Sequence, residues 1–557
     1  MKRALPYLIL ATIAIGVMVY LRQHSLSLNP HHPPRNAIVL TFVYGSEKQK
    51  WIEDVTEGFN AVRHQSAGGR PIFITALPMG SGESIDAVLS GSVKAHIISP
   101  ASMAYVKLGN ARSRATTGKD LLGPTQNLVL SPVVIAMWKP MAQALGWGSK
   151  PIGWHEILDL ARSGKGWSSY GHPEWGAFTF GHTHPEYSNS GLLTLLAEVY
   201  AARGKTAGLT LSDVHNAQTG QFLGAIEESV VHYGSSTGFF GNTMFANGPG
   251  YLSASVLYEN MVVDSYTRTT ATTLPVVAIY PKEGTFWSDH PVGIVQRPWV
   301  TSEDQEAAKQ YIEYLLAAPQ QQKAMTFGFR PSDVTLPLAA PLDTQHGMNQ
   351  KEPTTTLDVP SPEVMDAIIG LWQQHKKHSN VVLLLDTSGS MENDNKLANA
   401  QDGANALVDV LGDTDLLSLL PFNTVPGWAL QGVTLGSSRA KVKDRINGLF
   451  AGGDTALYDA ISQAAQFLKT HPYPHRIAAV VVLTDGADTS SKISIDDLIT
   501  QLERGGEGAA VRVFTIGYGT GANEEVLRRI ADATQAKYFK GTPENIRAVF
   551  KEISTFF

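Results

Sequence analysis

The sequence predicts an α/β protein of two tandem regions behind an apolar N-terminal segment. Three observations carry that reading. Short unbroken apolar runs, such as 381–385 (VVLLL) and 478–483 (AAVVVL), have the length and branching of strands buried on both faces. Helical periods lie between such runs, for example Leu397, Ala400, Ala404, Leu407, Val408 and Leu411. At 557 residues the chain also exceeds one ordinary core, so two or three domains are expected. Alternation of this kind gives parallel-dominated sheets with helices on both faces, a doubly wound arrangement.

Composition narrows the function classes. A hydrophobic fraction of 43% with 17% charged residues describes a folded chain with ample core. The net charge of −6 offers no basic surface for nucleic acid, and that partner class is excluded. With 0 Cys, disulfides, lipid-modified cysteine and thiolate metal sites are ruled out.

The N-terminal segment, residues 1–24, opens with Lys2 and Arg3 and then runs 18 residues, Ala4 to Leu21, without a charge before Arg22. At about 1.5 Å per residue this reaches about 27 Å, just short of a ~30 Å hydrocarbon core. A cleavable signal peptide has a shorter apolar region followed by small residues, and 25–27 (SLS) behind Arg22 is a poor cleavage site. An uncleaved transmembrane helix is therefore expected, with its basic N-terminus in the cytoplasm. It would make a single-pass protein of a bacterial cell membrane, with the bulk of the chain extracytoplasmic.

Residues 37–340 form the first region. Strand-like runs at 37–44, 71–77 and 95–98 end in Gly45-Ser46, Gly80-Ser81-Gly82 and Ser99-Pro100-Ala101-Ser102, and the first two lead into helical patterns at 51–62 and from Ile85 onward. Hydroxyls and backbone N–H groups at helix N-termini form a cradle for an anion or a polar small molecule, although serine there also serves as an ordinary cap. Further on come 128–137 (LVLSPVVIAM), 180–185 (FGHTHP), Ser188-Asn189-Ser190-Gly191 opening a helix at 192–202, then 224–233 and 256–260. Together these resemble the bacterial extracellular solute-binding proteins of the two-lobed, periplasmic type. The resemblance implies two α/β lobes joined by crossing strands and closing on a small polar or anionic solute. Ser46, Ser81, Ser99, Ser102, Ser188, Ser190, Tyr258 and Glu259 are the candidate contacts.

Three motifs in this region are set aside. Gly234-Ser235-Ser236-Thr237-Gly238 fits the nucleophile elbow of serine hydrolases, which needs a strand before it and a helix after it. The following stretch, 239–251, is rich in Gly, Asn and aromatics and predicts no helix. Gly204-Lys205-Thr206 lacks the glycine-rich loop of a phosphate-binding loop. His182 and His184 have no third ligand at metal spacing, so a core role is expected instead of zinc.

A Pro/Thr-rich join and a connecting helix (362–377) occupy residues 341–378, after an amphipathic helix at 301–317. Residues 379–557 form the second region. Its first strand ends in Asp386-Thr387-Ser388-Gly389-Ser390, so a carboxylate and two hydroxyls sit at the carboxyl end of a strand, where open α/β sheets bind ligands. A glycine-rich loop, Ala451-Gly452-Gly453-Asp454-Thr455, precedes a helix at 456–468, and the run 478–483 ends in Thr484-Asp485-Gly486. Strands at 416–422, 429–433, 511–516 and 536–540 and helices at 439–449, 493–502, 524–532 and 543–553 complete the pattern.

This set resembles the von Willebrand factor type A family, whose metal-ion-dependent adhesion site uses Asp-x-Ser-x-Ser, a loop Thr and a second Asp. The resemblance implies a Rossmann-like domain with Asp386, Ser388, Ser390, Thr455 and Asp485 as metal ligands. Oxygen-only ligation suits Mg²⁺, or Mn²⁺ as a stand-in, and disfavours zinc. It further implies a protein partner that offers a carboxylate to the metal. The expected function is that of a membrane-anchored extracytoplasmic binding protein and not an enzyme, since the best site lacks a general base beside a nucleophile. The alternatives are a transporter-associated substrate-binding component and a hydrolase.

Overall fold

The computed structural model describes residues 32–557 except 269–273, 474–475, 504–510, 520, 535, 544, 555 and 557. The expected membrane helix (residues 1–24) therefore lies outside the described residues; among the described residues no helix is long and apolar enough to cross a membrane.

Three sheets make up the fold. The first has five strands in the order Ile72–Met79, Ile38–Gly45, Ile97–Ser99, Pro291–Val295, Leu122–Asn127. Its first three strands are parallel and Pro291–Val295 is antiparallel to both neighbours. Strand Ile38–Gly45 is apolar on both sides, which suits a place near the middle of a sheet with helices on each face. Leu40, Phe42 and Tyr44 pack with Trp51, Val55 and Phe59 of helix Gln49–Val62 and with Tyr311 and Leu315 of helix Ser302–Leu316. Val43 and Ile98 face the other way, towards Ile85 of helix Ser81–Leu89 and Tyr105 of helix Met103–Thr117.

The second sheet is built around Val129–Trp138, ten residues of which nine are buried. Strands Ala254–Tyr258, Val276–Ile279, Trp287–Ser288 and Arg330–Pro331 pair with it, and Phe180–Thr183 and Val230–Gly234 follow beyond Ala254–Tyr258. The chain passes between the two sheets three times, from Leu122–Asn127 to Val129–Trp138, from Trp287–Ser288 to Pro291–Val295, and from Pro291–Val295 back to Arg330–Pro331. Two lobes on three such crossings form a cleft at the carboxyl ends of strands from both.

One expectation is corrected here. The stretch after Gly234-Ser235-Ser236 is helix Thr237–Asn247, preceded by strand Val230–Gly234. The glycines that argued against a helix are there for packing: a Cβ on Gly238 would lie 2.6 Å from Ser46 C and O, and one on Gly241 2.4 Å from Met261 Cε. Close approach of neighbouring chain overrode helix propensity.

Helix Pro362–His375 leads from the second lobe to the third sheet. Ser361 caps it, Pro362 stands at its first position, and Met365, Ile368 and Trp372 are buried. Trp372 meets His184 and Tyr233 of the second lobe edge-on, with centroids 4.9 and 5.6 Å away. Lys377 then donates to the carbonyls of Glu228 (2.8 Å) and Val230 (3.3 Å).

The third sheet has six strands in the order Leu430–Thr434, Leu416–Phe422, His378–Asp386, Arg476–Thr484, Arg512–Tyr518, Tyr538–Gly541, all parallel except the first. Numbered along the chain this is 3-2-1-4-5-6, the doubly wound order whose direction reverses between strands 1 and 4. Val381, Leu383 and Leu385 face helices Lys396–Val410 and Ile546–Ser554, while Val382 and Leu384 face helices Leu457–Thr470 and Ile495–Glu503. That double burial is why the run 381–385 carries no polar residue.

Candidate functional site

The reversal of strand order brings Asp386, at the end of strand 1, beside Asp485, just past the end of strand 4. Leu385 pairs with Leu483, so the two chains leave the sheet in step. Asp386 Oδ1 accepts from Ser388 N (2.8 Å) and Oδ2 from Thr484 Oγ1 (2.5 Å), which fixes the carboxylate in its plane. Ser388 Oγ lies 3.1 Å from Ser390 Oγ, and Ser390 Oγ donates to Asp485 Oδ1 at 2.6 Å. Thr455 enters from the glycine-rich loop. Its N–H donates to Thr489 Oγ1 (2.9 Å), and Gly389 N donates to Gly453 O (2.9 Å), joining the two loops. A Cβ on Gly486 would lie 3.9 Å from Thr455 Oγ1 and 4.0 Å from Ser390 Oγ, so both hydroxyls border one small space. Asp386, Ser388, Thr455 and Asp485 are buried and Ser390 is exposed, giving the group a single mouth to solvent. Burial raises the Asp386 carboxyl above its usual range, against the pull of its hydrogen bonds from Thr484 and Ser388.

The cleft between the lobes is shut. Ser46 Oγ donates to Ser236 Oγ (2.8 Å) and accepts from Gly238 N (3.1 Å) across it. Ser102 Oγ donates to Asn189 Oδ1 (2.5 Å), and Asn189 Nδ2 donates to Tyr258 OH (3.0 Å) and Ser288 Oγ (3.4 Å). Ser188 Oγ lies 3.1 Å from Thr237 Oγ1, which donates to Ser190 Oγ (2.8 Å). The N-terminus of helix Ser81–Leu89 points at the other lobe: Gly82 N and Glu83 N both donate to Tyr187 O, at 2.9 and 3.2 Å. A pocket of about 60 Å³ remains between the lobes, bordered by Ser46, Glu47, Asn260 and Phe329, enough for a water or two.

Of the eight sequence-predicted contacts, Ser46 and Ser102 bond across the seam, and Ser188, Ser190 and Tyr258 belong to the second-lobe network that meets them through Asn189 and through Thr237, next to Ser236. The other three are engaged within the scaffold. Ser81 Oγ accepts from Ala101 N (2.9 Å), Ser99 Oγ donates to His290 O (3.5 Å), and Glu259 holds Arg330 through two bonds of 2.8 and 2.6 Å and also accepts from Tyr280 OH.

Two matches with known proteins bear on these sites. Residues 380–552 match the model of the von Willebrand factor type A domain, and residues 115–345 match that of the bacterial extracellular solute-binding protein. The chain joins a solute-binding domain to a von Willebrand factor type A domain. A curated relative, the uncharacterized protein YfbK of Escherichia coli (strain K12), is 29% identical over 163 residues; the match spans 29% of this chain and 28% of that protein. Among solved structures, the von Willebrand factor type A protein from Catenulispora acidiphila is 24% identical, covering 32% of this chain and 43% of its own with a TM-score of 0.28. A periplasmic thiamin binding protein is 14% identical, covering 62% and 97%, with a TM-score of 0.44. The sulfate-binding protein SubI from Mycobacterium tuberculosis H37Rv is 18% identical, covering 61% and 97%, with a TM-score of 0.38.

The donor set of the von Willebrand factor type A domain fits a hard divalent cation. All five side chains offer oxygen, and the Ser388–Ser390 and Ser390–Asp485 oxygen separations of 3.1 and 2.6 Å bracket the roughly 3 Å between neighbouring ligands of an octahedral Mg²⁺. No cluster of three or more His, Cys, Asp or Glu exists among the described residues, as expected where three of five donors are hydroxyls.

Sequence reasoning missed Lys396, whose Nζ lies 2.6 Å from Asp485 Oδ2, and the partner role of Thr484. It also missed a buried trio in the solute-binding domain. Lys48 Nζ is 2.6 Å from Glu47 Oε1 and 3.1 Å from His290 Nδ1, which in turn is 3.2 Å from Glu47 Oε1. Burial works to raise the Glu47 carboxyl, but the Lys48 ammonium and His290 outweigh it and hold it at about 2. Burial and Lys48 push the His290 imidazole down to about 4. His290 Nε2 has no partner among the described residues, and its backbone is left-handed (φ 41°). The only local signal was charge at Glu47-Lys48 directly after a buried strand; His290 lies 242 residues away.

Proposed function

We propose that the von Willebrand factor type A domain captures a partner protein through a divalent cation, Mg²⁺ or Mn²⁺, held by Asp386, Ser388, Ser390, Thr455 and Asp485. The observation that carries this is the convergence of five side-chain oxygens at the strand-order reversal, with Ser390 exposed at the mouth. When bound, such an ion supplies an electrophilic contact for a carboxylate of the partner. The residues of this chain do the rest. Thr484 and Ser388 N orient Asp386, and the Gly389–Gly453 bond seats the Thr455 loop against the Ser388 loop. Three neutral hydroxyls leave the ion more positive than a carboxylate cage would.

Binding, and not catalysis, is the reading supported at both sites. Ser236 has the strand–turn–helix setting of a nucleophile, but its hydroxyl partner is Ser46 and not an imidazole. The solute-binding domain argues for an extracytoplasmic location, and the uncharged run Ala4 to Leu21 for anchoring in a bacterial cell membrane. Salt-washed membranes should retain the protein; a soluble mature form beginning near Leu28 would refute the anchor.

The test of the metal reading is capture of partners from the organism's own envelope with and without Mg²⁺. Asp386→Ala, or Ser388→Ala with Ser390→Ala, should abolish Mn²⁺ binding and capture together while far-UV circular dichroism stays unchanged. A partner whose capture survives both chelator and Asp386→Ala would sink the mechanism.

A second reading, association with a transporter, rests on the seam of hydroxyls between the lobes. A small polar or anionic solute would take over these hydrogen bonds once the cleft opens. Bulky replacements at Ser46 and Ser102, whose hydroxyls bond across the cleft, should then remove any thermal stabilisation by that solute. A broad metabolite screen without a single shift would leave the domain as scaffold.

A further inference from the structure

Lys396 is placed against a local preference. It is a cation at the first position of helix Lys396–Val410, the end where the helix dipole disfavours positive charge. The chain enters that helix through two left-handed residues, Asp394 (φ 52°) and Asn395 (φ 55°), residue types that tolerate this conformation. Its ammonium is committed to a carboxylate with no side-chain exposure, Asp485, at 2.6 Å. Departures of this kind from local preference gather where function requires them. Ser390 takes Asp485 Oδ1 and Lys396 takes Oδ2, so Asp485 faces the metal-site hydroxyls with half its charge already answered.

We propose that Lys396 is a resident counter-cation that weakens metal affinity and makes the loaded site select an anionic ligand. This rests on the metal reading above. Two carboxylates and a divalent ion sum to no net charge, so an anionic ligand would be drawn by the ion alone, against the repulsion of both carboxylates. With the ammonium included, one unit of positive charge is left over, and a single carboxylate cancels it. Lys396 is thereby a specificity-determining residue although it supplies no ligand atom.

The experiment uses the full chain in detergent with Mn²⁺ as metal and acetate as the carboxylate. Calorimetry gives Mn²⁺ affinity, and water-proton relaxation of bound Mn²⁺ reports displacement of its water by acetate. Lys396→Met should bind Mn²⁺ about tenfold more tightly and need about tenfold more acetate for half-displacement. Lys396→Arg, which keeps the charge, should match the wild type. Lys396→Gln serves as a second neutral variant should Met disturb the helix. If the neutral variants bind Mn²⁺ equally or more weakly while Asp386→Ala abolishes binding, Lys396 only positions Asp485 and the proposal is overturned. Tighter Mn²⁺ binding with unchanged acetate displacement overturns the selection of anions. If wild type shows no Asp386-dependent Mn²⁺ binding, the metal reading itself fails, a result separable from the others.

Discussion

Thr484 Oγ1 donates to Asp386 Oδ2 at 2.5 Å, joining the ends of strands 98 residues apart in the chain. Both residues are buried, so the bond forms away from water, where a lost partner leaves an uncompensated oxygen. The same hydroxyl accepts from Gly486 N (3.2 Å), holding the turn that presents Asp485. Thr484 thus orients both carboxylates of the proposed metal site without belonging to it.

Replacing Thr484 by Val keeps the shape and removes the hydroxyl. We expect Mn²⁺ affinity to fall about 10–100-fold, the usual effect of losing a partner that orients a metal ligand. Calorimetric titration measures it, and unchanged near-UV circular dichroism separates the effect from unfolding. Wild-type affinity in Thr484→Val would mean that Ser388 N alone suffices to fix Asp386.

Gly82 sits where the lobes meet, and a Cβ there would lie 1.9 Å from Glu186 O, a backbone atom with little freedom to yield. Gly82→Ala should therefore wedge the cleft open or cost about 1–3 kcal/mol of overpacking if it stays shut. Small-angle scattering distinguishes these, since opening raises the radius of gyration. Neither a larger radius nor a lower melting temperature would show that the seam is looser than its hydrogen bonds suggest.

Glu198 is buried in the second lobe, and both its carboxylate oxygens lack partners among the described residues. Burial, and after it the charge of Glu227, raises its carboxyl well above the usual range. The native state then keeps a proton that the unfolded chain has lost, so stability falls as pH rises from about 4.3 towards the native value. Glu198→Gln removes that slope. Its melting temperature should exceed that of wild type by about 2–4 °C at pH 8 and approach it at pH 4.5. Thermal melts across that range check it, and a constant difference at all pH values would contradict it.

Trp372 anchors the connecting helix in the second lobe, 1% exposed between His184 and Tyr233. Trp372→Ala should cost about 3–5 kcal/mol and free the helix from the lobe. Limited proteolysis would then cut within 357–377 before either domain. A digestion pattern like wild type would show that Met365 and Ile368 hold the helix unaided.

The strands and their ends were legible in the sequence because burial on both faces leaves a run without polar residues, as at 381–385 and 478–483. The order of Asp386, Ser388, Ser390, Thr455 and Asp485 along strand ends and glycine turns was legible for the same reason: their neighbours announce those turns. The helix at 237–247 was not, since its glycines answer to Ser46 and Met261, which lie far off in sequence. Lys396 gave no signal either, because its partner Asp485 lies 89 residues away. The trio Glu47, Lys48 and His290 exists only because strand Pro291–Val295 pairs next to Ile97–Ser99. Period and turn chemistry are local and determine which residues stand at strand ends. Which ends face one another, and which hydroxyls are already spent on the opposite lobe, depends on pairings across 100 to 240 residues, and only the tertiary structure decides those.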